Sequence, residues 1–411
     1  MIGPEGLEPS SEVVVVGAGL AGIRSAEALR RAGFAGPLTL VGDEASVPYD
    51  RPPLSKQVLA GRWELERVAL TDDDKLAELS IDLRVGAGAV ALDLDAGAVH
   101  LEGGQELKAD AVVVASGCRA RWLPGTEGMA GVHVLRRGAD ALALREALSA
   151  RASQSIVVIG SGFIGAEVAS EAASRGHEVT VLEAEATPLA RILPREVAET
   201  IGGLHATAGV ALRCGVQVAG LREVPGGVIV DLAGGEELAA DLVVVGIGVV
   251  PNTSWLEGSG LEIDNGLVVD EKLFAHDAVV GVGDVARFTW ARHGLADAVR
   301  IEHWTVANDH ASHAGAALLA GRASAPALEL VPYFWSDQYQ TKIQVLGRPG
   351  PADEVHVVEG SLEEHRAVVV LGQGDRLTGV LGLSRPRHLM AFRPLVESGA
   401  SVAEALALEL G

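Results

Sequence analysis

Short runs of aliphatic and β-branched residues, each closed by small residues, alternate along this chain with stretches whose apolar positions recur every three or four residues. The first run, Val13–Val16, leads through Gly17-Ala-Gly19-Leu20-Ala21-Gly22 into a helix pattern from Ile23 to Arg31. The pattern returns as Ile156–Ile159, the turn Gly160-Ser-Gly162-Phe163-Ile164-Gly165, and a helix expected over Ala166–Arg175 with Glu167 in its first turn. Further strands are expected at Pro37–Val41, Ala111–Ala115, Glu178–Leu182, Leu242–Val245 and Ala278–Val280, and helices over Ala139–Ala150 and from Ile301 through Ala320. Between Arg62 and Leu101 weak alternation reads as short strands and turns, a β-meander. Pro124 to Gly131 reads as a linker. Beyond Val331, an aromatic cluster at Pro332–Tyr339 opens a region with strand patterns at Ile343–Leu346, Glu354–Val358, Ala367–Leu371 and Gly379–Leu383, closed by a helix.

The two glycine turns carry the chemistry. In such a strand–turn–helix, the first glycine permits the tight turn, the second admits a pyrophosphate close to the backbone, and the third lets helix and strand pack closely. The helix N-terminus then faces the phosphates. One such turn is weak evidence. Two in one chain point to two dinucleotides, most economically a tightly held flavin and an exchanging nicotinamide. A duplicated unit with one inactive copy is the alternative.

Composition narrows the class. A chain of 411 residues, 48% hydrophobic and 21% charged, is long enough for two or three globular domains. The net charge of −22 argues against nucleic acid or an anionic membrane as partner. No apolar run is long enough for a spanning helix, and the leader Met1–Ser11 reads as a frayed tail rather than a secretion signal. The two cysteines, Cys118 and Cys214, are far apart and form no vicinal pair, which suits a reducing cytoplasm and a packing role. No metal site is expected.

Candidate residues follow from strand ends and rigid loops. Asp43, just past the second strand, can accept hydrogen bonds from an adenosine ribose, the alternative being a solvated loop carboxylate. In Arg51-Pro-Pro-Leu-Ser-Lys56 the prolines stiffen a loop before a helix start at Leu54, so Arg51 and Lys56 form a fixed cationic element suited to an electron-rich ring; a plain surface lysine is the alternative. Ala115-Ser116-Gly117 are small residues at a strand end, where backbone can lie against a cofactor. Glu183, at the end of its strand, accepts from both ribose hydroxyls and repels a 2′-phosphate, favouring NADH, while Arg191 leaves some tolerance of NADPH. Asp284, in Gly281-Val-Gly-Asp284, can hold a sugar-alcohol hydroxyl of a flavin. The helix opening at Trp304 presents amides to the charge of a reduced flavin. For Glu167, a favourable helix-dipole position is explanation enough without any function.

Six segments together, 17–22, 51–56, 162–167, 281–284, 302–304 and 334–339, make the chain resemble, over nearly its whole length, the ferredoxin reductases that feed haem-thiolate monooxygenases and Rieske-type ring dioxygenases. The resemblance implies an α/β fold with two Rossmann-like dinucleotide-binding domains, glutathione-reductase-like, plus a small α+β C-terminal domain. The FAD-binding domain is then discontinuous, 1–118 and 251–327, the NAD-binding domain covers 119–250, and the C-terminal domain, 328–411, lies at the flavin/ferredoxin interface. It implies FAD contacts at Ala21, Asp43, Lys56, Ala89, Arg136, Asp284 and Trp304, and NADH contacts at Gly160–Gly165, Glu183, Arg191 and Gly246-Ile247-Gly248. It places Lys56 near the flavin N5, paired with Glu167, and Trp335 near the flavin facing a docked iron–sulfur protein. The family helix after Trp304 usually carries a Leu-Glu-Gln-Ala/Gly run; here it reads Val306-Ala-Asn-Asp-His310-Ala-Ser-His313.

The activity implied is transfer of hydride from NADH to FAD, then of single electrons to a small ferredoxin that supplies the oxygenase, in the cytoplasm. A different class, an NADH-binding signalling or scaffold flavoprotein of the apoptosis-inducing-factor type, shares the architecture. It is disfavoured by the lack of a targeting leader and of long insertions. An NADH oxidase or peroxidase of this fold needs a redox cysteine where Arg51–Lys56 stands.

Overall fold

The computed structural model describes residues 6–292 and 295–410. The chain forms two compact units, one of Met1–Asp50, Leu65–Arg119 and Val250–Leu330, the other of Arg51–Glu64, Ala120–Val249 and Val331–Gly411. The Arg51–Lys56 loop, expected within the FAD-binding domain, is therefore part of the second unit.

The first unit is built on a six-stranded sheet ordered Phe274–His276, Val279–Gly281, Ala111–Val114, Val13–Val16, Leu38–Gly42, Asp82–Val85. All neighbouring pairs are parallel except the first. Val13–Val16 and Ala111–Val114 are buried throughout, as central parallel strands covered on both faces must be. Helices Leu20–Arg31 and Trp304–Ala320 pack together through small residues: a Cβ at Gly315 would stand 2.8 Å from that of Ala28. A three-stranded antiparallel meander, Ala89–Asp93, Ala98–Leu101 and Glu106–Lys108, completes the region read as short strands. That region also holds a helix the sequence reading missed, Asp73–Glu78, capped by Asp72 Oδ1 accepting from Lys75 N at 2.8 Å. The leader departs from expectation too. Its first five residues lie outside the described ones, but Leu7 N donates to Leu318 O at 3.2 Å and Ser11 is buried, so its described part does not fray.

The second unit contains an all-parallel sheet ordered Ala211–Cys214, Glu178–Glu183, Ser155–Ile159, Leu242–Val245, Val132–His133. It also holds a meander of Val218–Val224, Gly227–Leu232 and Glu237–Ala240. Its C-terminal part is a five-stranded antiparallel sheet ordered Tyr333–Gln338, Thr341–Gly347, Arg376–Leu383, Arg366–Gln373, Glu354–Ser361. Three short helices follow, Pro386–Ala391, Arg393–Ser398 and Val402–Leu406, in place of the one expected. The aromatic cluster is itself a strand. Its hairpin turns through Tyr339 and Gln340, both at positive φ (48° and 71°), a two-residue turn without the glycine or asparagine that usually announces it.

Candidate active site

The glycines of the first turn behave as their spacing requires. Gly17 has φ +115°, and a Cβ there would stand 2.2 Å from Ala115 O; one at Gly22 would stand 1.8 Å from Gly17 O. Around Gly19 the space is open, with nothing within 4 Å of such a Cβ. The helix begins at Leu20 with no side-chain cap, so the amides at Leu20, Ala21 and Gly22 have no side-chain acceptor at the cap. An open cradle facing uncapped amides fits a pyrophosphate.

The carboxyl ends of the parallel strands bring the other candidates of this unit to the same sheet edge. Asp43 follows Leu38–Gly42 and is exposed, beside Gly88, and Ala89 opens the first strand of the antiparallel meander. Ser116 and Gly117 are clamped by a residue the sequence reading overlooked. Asn252 Nδ2 donates to Ser116 O at 2.8 Å, Asn252 N donates to Gly117 O at 2.9 Å, and Ser116 Oγ donates to Asn252 O at 2.8 Å. Asp284 sits in a tight 3₁₀ turn, Gly283–Val285, pressed against the cradle: a Cβ at Gly283 would stand 2.9 Å from that of Ala21. Trp304 is the first residue of its helix and donates from Nε1 to Asp50 Oδ1 at 2.7 Å. Burial pushes the preceding His303 down to about 4, against the opposing pull of Asp284, so its ring is neutral near pH 7.

The second unit repeats the cradle. Gly160 has φ +98°, a Cβ at Gly165 would stand 2.0 Å from Gly160 O, the space at Gly162 is open, and the helix starting at Phe163 has no side-chain cap. Ile164 is exposed at its first turn. Glu183 ends its strand beside this turn, accepting from Ser161 N at 2.9 Å, Ser161 Oγ at 2.7 Å and Glu185 N at 2.9 Å. Gly246-Ile247-Gly248 follows the adjacent strand, with Gly246 N donating to Ile159 O at 2.7 Å. Arg191 is highly exposed and pairs with Glu185 at 2.8 Å. The Cys214 thiol is pushed up by burial and by the Glu183 carboxylate, which disfavours the reactive thiolate.

Elsewhere in this unit the chain assembles a charged cluster. Pro52 and Pro53 lead into a single π-helical turn, Leu54–Val58, in which Val58 N donates to Pro53 O at 2.9 Å. This turn carries Lys56, whose Nζ lies 2.8 Å from Glu167 Oε1, the Glu167 side chain being 3% exposed. Helix Phe163–Ser174 starts earlier than expected, so Glu167 lies beyond its first turn, and proximity to the N-terminus does not account for it. Its oxygens accept from Ser336 Oγ at 2.6 Å and from Ser55 Oγ. Arg51 Nη1 donates to Arg136 O at 2.6 Å. Alternation along Tyr333–Gln338 puts Ser336 and Phe334 on the face toward this helix, Phe334 packing on Phe163 at 4.7 Å. Trp335 takes the other face, stacked on Tyr333 at 6.0 Å. Ser55, Ser336 and Asn252 are the functional candidates the sequence reading missed; for the first two, membership in the Arg51–Lys56 and 334–339 motifs was the available signal.

Among the described residues no group of histidine, cysteine or carboxylate side chains could hold a metal ion, and no helix is long and apolar enough to cross a membrane. Cys118 and Cys214 form no disulfide. Residues 11–311 match the pyridine nucleotide-disulphide oxidoreductase family and residues 333–409 the reductase C-terminal family. The chain is 38% identical to rhodocoxin reductase of Rhodococcus erythropolis, over 93% of this chain and 89% of that protein. It is 36% identical to the ferredoxin–NAD(+) reductase component of the anthranilate 1,2-dioxygenase system of Burkholderia cepacia, over 94% of each. A crystal structure of the covalent putidaredoxin reductase–putidaredoxin complex matches with a TM-score of 0.90 at 35% identity, over 97% of this chain and 96% of that one. With two dinucleotide cradles and no vicinal thiols, the chain belongs to the pyridine nucleotide-disulphide oxidoreductase family, in its ferredoxin-reductase branch.

Proposed function

We propose that this protein is an NADH-dependent, FAD-containing ferredoxin reductase of the cytoplasm, passing electrons to a small iron–sulfur ferredoxin that serves a haem-thiolate monooxygenase or a Rieske-type dioxygenase. The observation that carries this reading is the pair of open, uncapped glycine cradles, one in each unit. FAD, when bound, takes up two electrons together from NADH and gives them out singly.

The rest is the work of the chain. Residues 1–118 and 251–327 bind FAD: Gly17, Gly19, Leu20, Ala21 and Gly22 take the pyrophosphate, Asp43 the ribose, and Asp284 the sugar-alcohol chain. Ala89, Ala115, Ser116 and Gly117 supply close backbone, and the amides at Trp304 face negative charge. Residues 119–250 bind NADH on Gly160, Gly162, Phe163, Ile164 and Gly165, with Gly246-Ile247-Gly248 alongside. Glu183 stands at the ribose and disfavours a 2′-phosphate. Arg191, engaged by Glu185, is a weak lure for that phosphate. Lys56 supplies a positive charge to the flavin ring, held in place by Glu167, while Arg51 and Arg136 complete the cationic lining. Trp335, in residues 328–411, faces the ferredoxin. The absence of a vicinal cysteine pair agrees with a route that needs no thiol.

The test is NADH-driven reduction of a panel of purified iron–sulfur proteins, with NADPH as control. Rapid reduction of at least one ferredoxin with NADH is expected. A purified holoprotein that reduces none, and forms only a long-lived NADH complex, overturns the reading.

A further inference from the structure

Helix Trp304–Ala320 carries a histidine that none of the proposed roles uses. His310 is fully buried. Its Nδ1 accepts a hydrogen bond from Gly283 N at 3.2 Å, and its ring meets Phe288 edge-on at 4.6 Å between centroids. Gly283 has φ +69°, and its missing Cβ is what lets it lie against Ala21 of the first cradle and Ala307 of the histidine's own helix. The turn that presents Asp284 is thus wedged between two helices and tied down by one ring nitrogen.

We propose that His310 is a positioning residue for FAD: its ring nitrogen holds the Gly283–Asp284 turn against the first cradle and so fixes Asp284 for the cofactor. The inference rests on the assignment of Asp284 to the flavin. An Nδ1 that accepts cannot also carry a proton. In the imidazolium the two N–H groups would confront each other and the tie would break. Burial, the dominant influence, pushes the ring down to about 3; His313 acts in the same sense and Asp284 against it. On the other packed elements, Glu27 is engaged by Arg24 and Lys75, and Arg287 by Asp264.

The test is FAD binding to apoprotein, followed by quenching of flavin fluorescence at pH 7, for the wild type, His310→Asn, His310→Leu and Asp284→Ala. Asparagine places an amide oxygen near the position of Nδ1 and does not titrate. His310→Leu orphans the Gly283 N–H and should weaken FAD binding by about fivefold to a hundredfold at pH 7. His310→Asn restores the acceptor and should stay within about threefold of wild type. If only the bulk of the ring mattered, His310→Asn would lose as much affinity as His310→Leu, and that result overturns the proposal; should His310→Leu fail to fold, a loss of more than about tenfold in His310→Asn overturns it alone. If Asp284→Ala weakens binding and His310→Leu does not, the role of His310 is overturned alone. If Asp284→Ala binds FAD normally, the flavin assignment of this turn fails, and the proposal with it.

Discussion

Replacing Lys56 by methionine separates two things that one ion pair can do. Lys56 Nζ lies 2.8 Å from Glu167 Oε1, with side chains 15% and 3% exposed. Removing one partner of a buried pair costs about 3–5 kcal/mol of stability, because the remaining charge is left uncompensated. Here Ser55 and Ser336 still donate to Glu167, so the low end, about 3 kcal/mol, is expected. If Lys56 also stabilises the reduced flavin, the lost charge-assisted contact of about 1.5–3 kcal/mol slows flavin reduction by NADH roughly 10- to 150-fold. Urea denaturation of the holoprotein reads the first effect, and anaerobic stopped-flow bleaching of the flavin reads the second. The double variant Lys56→Met/Glu167→Leu removes both charges and should recover most of the stability while remaining slow. Wild-type bleaching in Lys56→Met would refute the catalytic assignment. Bleaching that recovers together with stability in the double variant would reduce Lys56 to a scaffold residue.

Three further outcomes follow from the same geometry. With Glu183 at the ribose as proposed, Glu183→Gln removes the charge that would face a 2′-phosphate, so the ratio of kcat/KM for NADH over NADPH should fall about tenfold, chiefly through a lower KM for NADPH; an unchanged ratio would place NADH selectivity elsewhere. Asn252→Ala removes the Nδ2 bond to Ser116 O while the two backbone bonds of the clamp remain, and should raise the FAD dissociation constant about fivefold, measured by titrating apoprotein, with little change in the KM for NADH. His205, bonded to Tyr339 OH at 2.7 Å, is pushed down by burial to about 4. Its folded value lies below the unfolded one, so the stability from its neutral form is complete above pH 6.5. That stability declines by about 1.4 kcal/mol per unit as pH falls toward 4. Urea midpoints at pH 7 and pH 5 should converge in His205→Gln relative to wild type, and parallel loss in both proteins would exclude this residue as the cause.

Much of this architecture is written in short-range code. Gly17, Gly22, Gly160 and Gly165 are required by backbone atoms within a few residues or on the neighbouring strand, so their spacing alone discloses the turn. The valine runs report burial on both faces in the same local way. Other features have no local cause. Tyr333–Gln338 becomes a strand because its hairpin is anchored from outside, with Tyr339 N donating to Ser170 Oγ at 2.9 Å and its hydroxyl meeting His205. No turn residue announces it.

The sequence by itself therefore determined two dinucleotide cradles, the carboxylate beside the second, and the parallel sheets that hold them, since each depends on conformations a residue adopts with its near neighbours. Only the tertiary structure decided which groups meet. Glu167 gains Lys56 and two serines, Gly283 gains His310, and Ser116 gains Asn252, because those partners are distant in the chain and are brought together by packing of elements whose local sequence carries no record of the encounter.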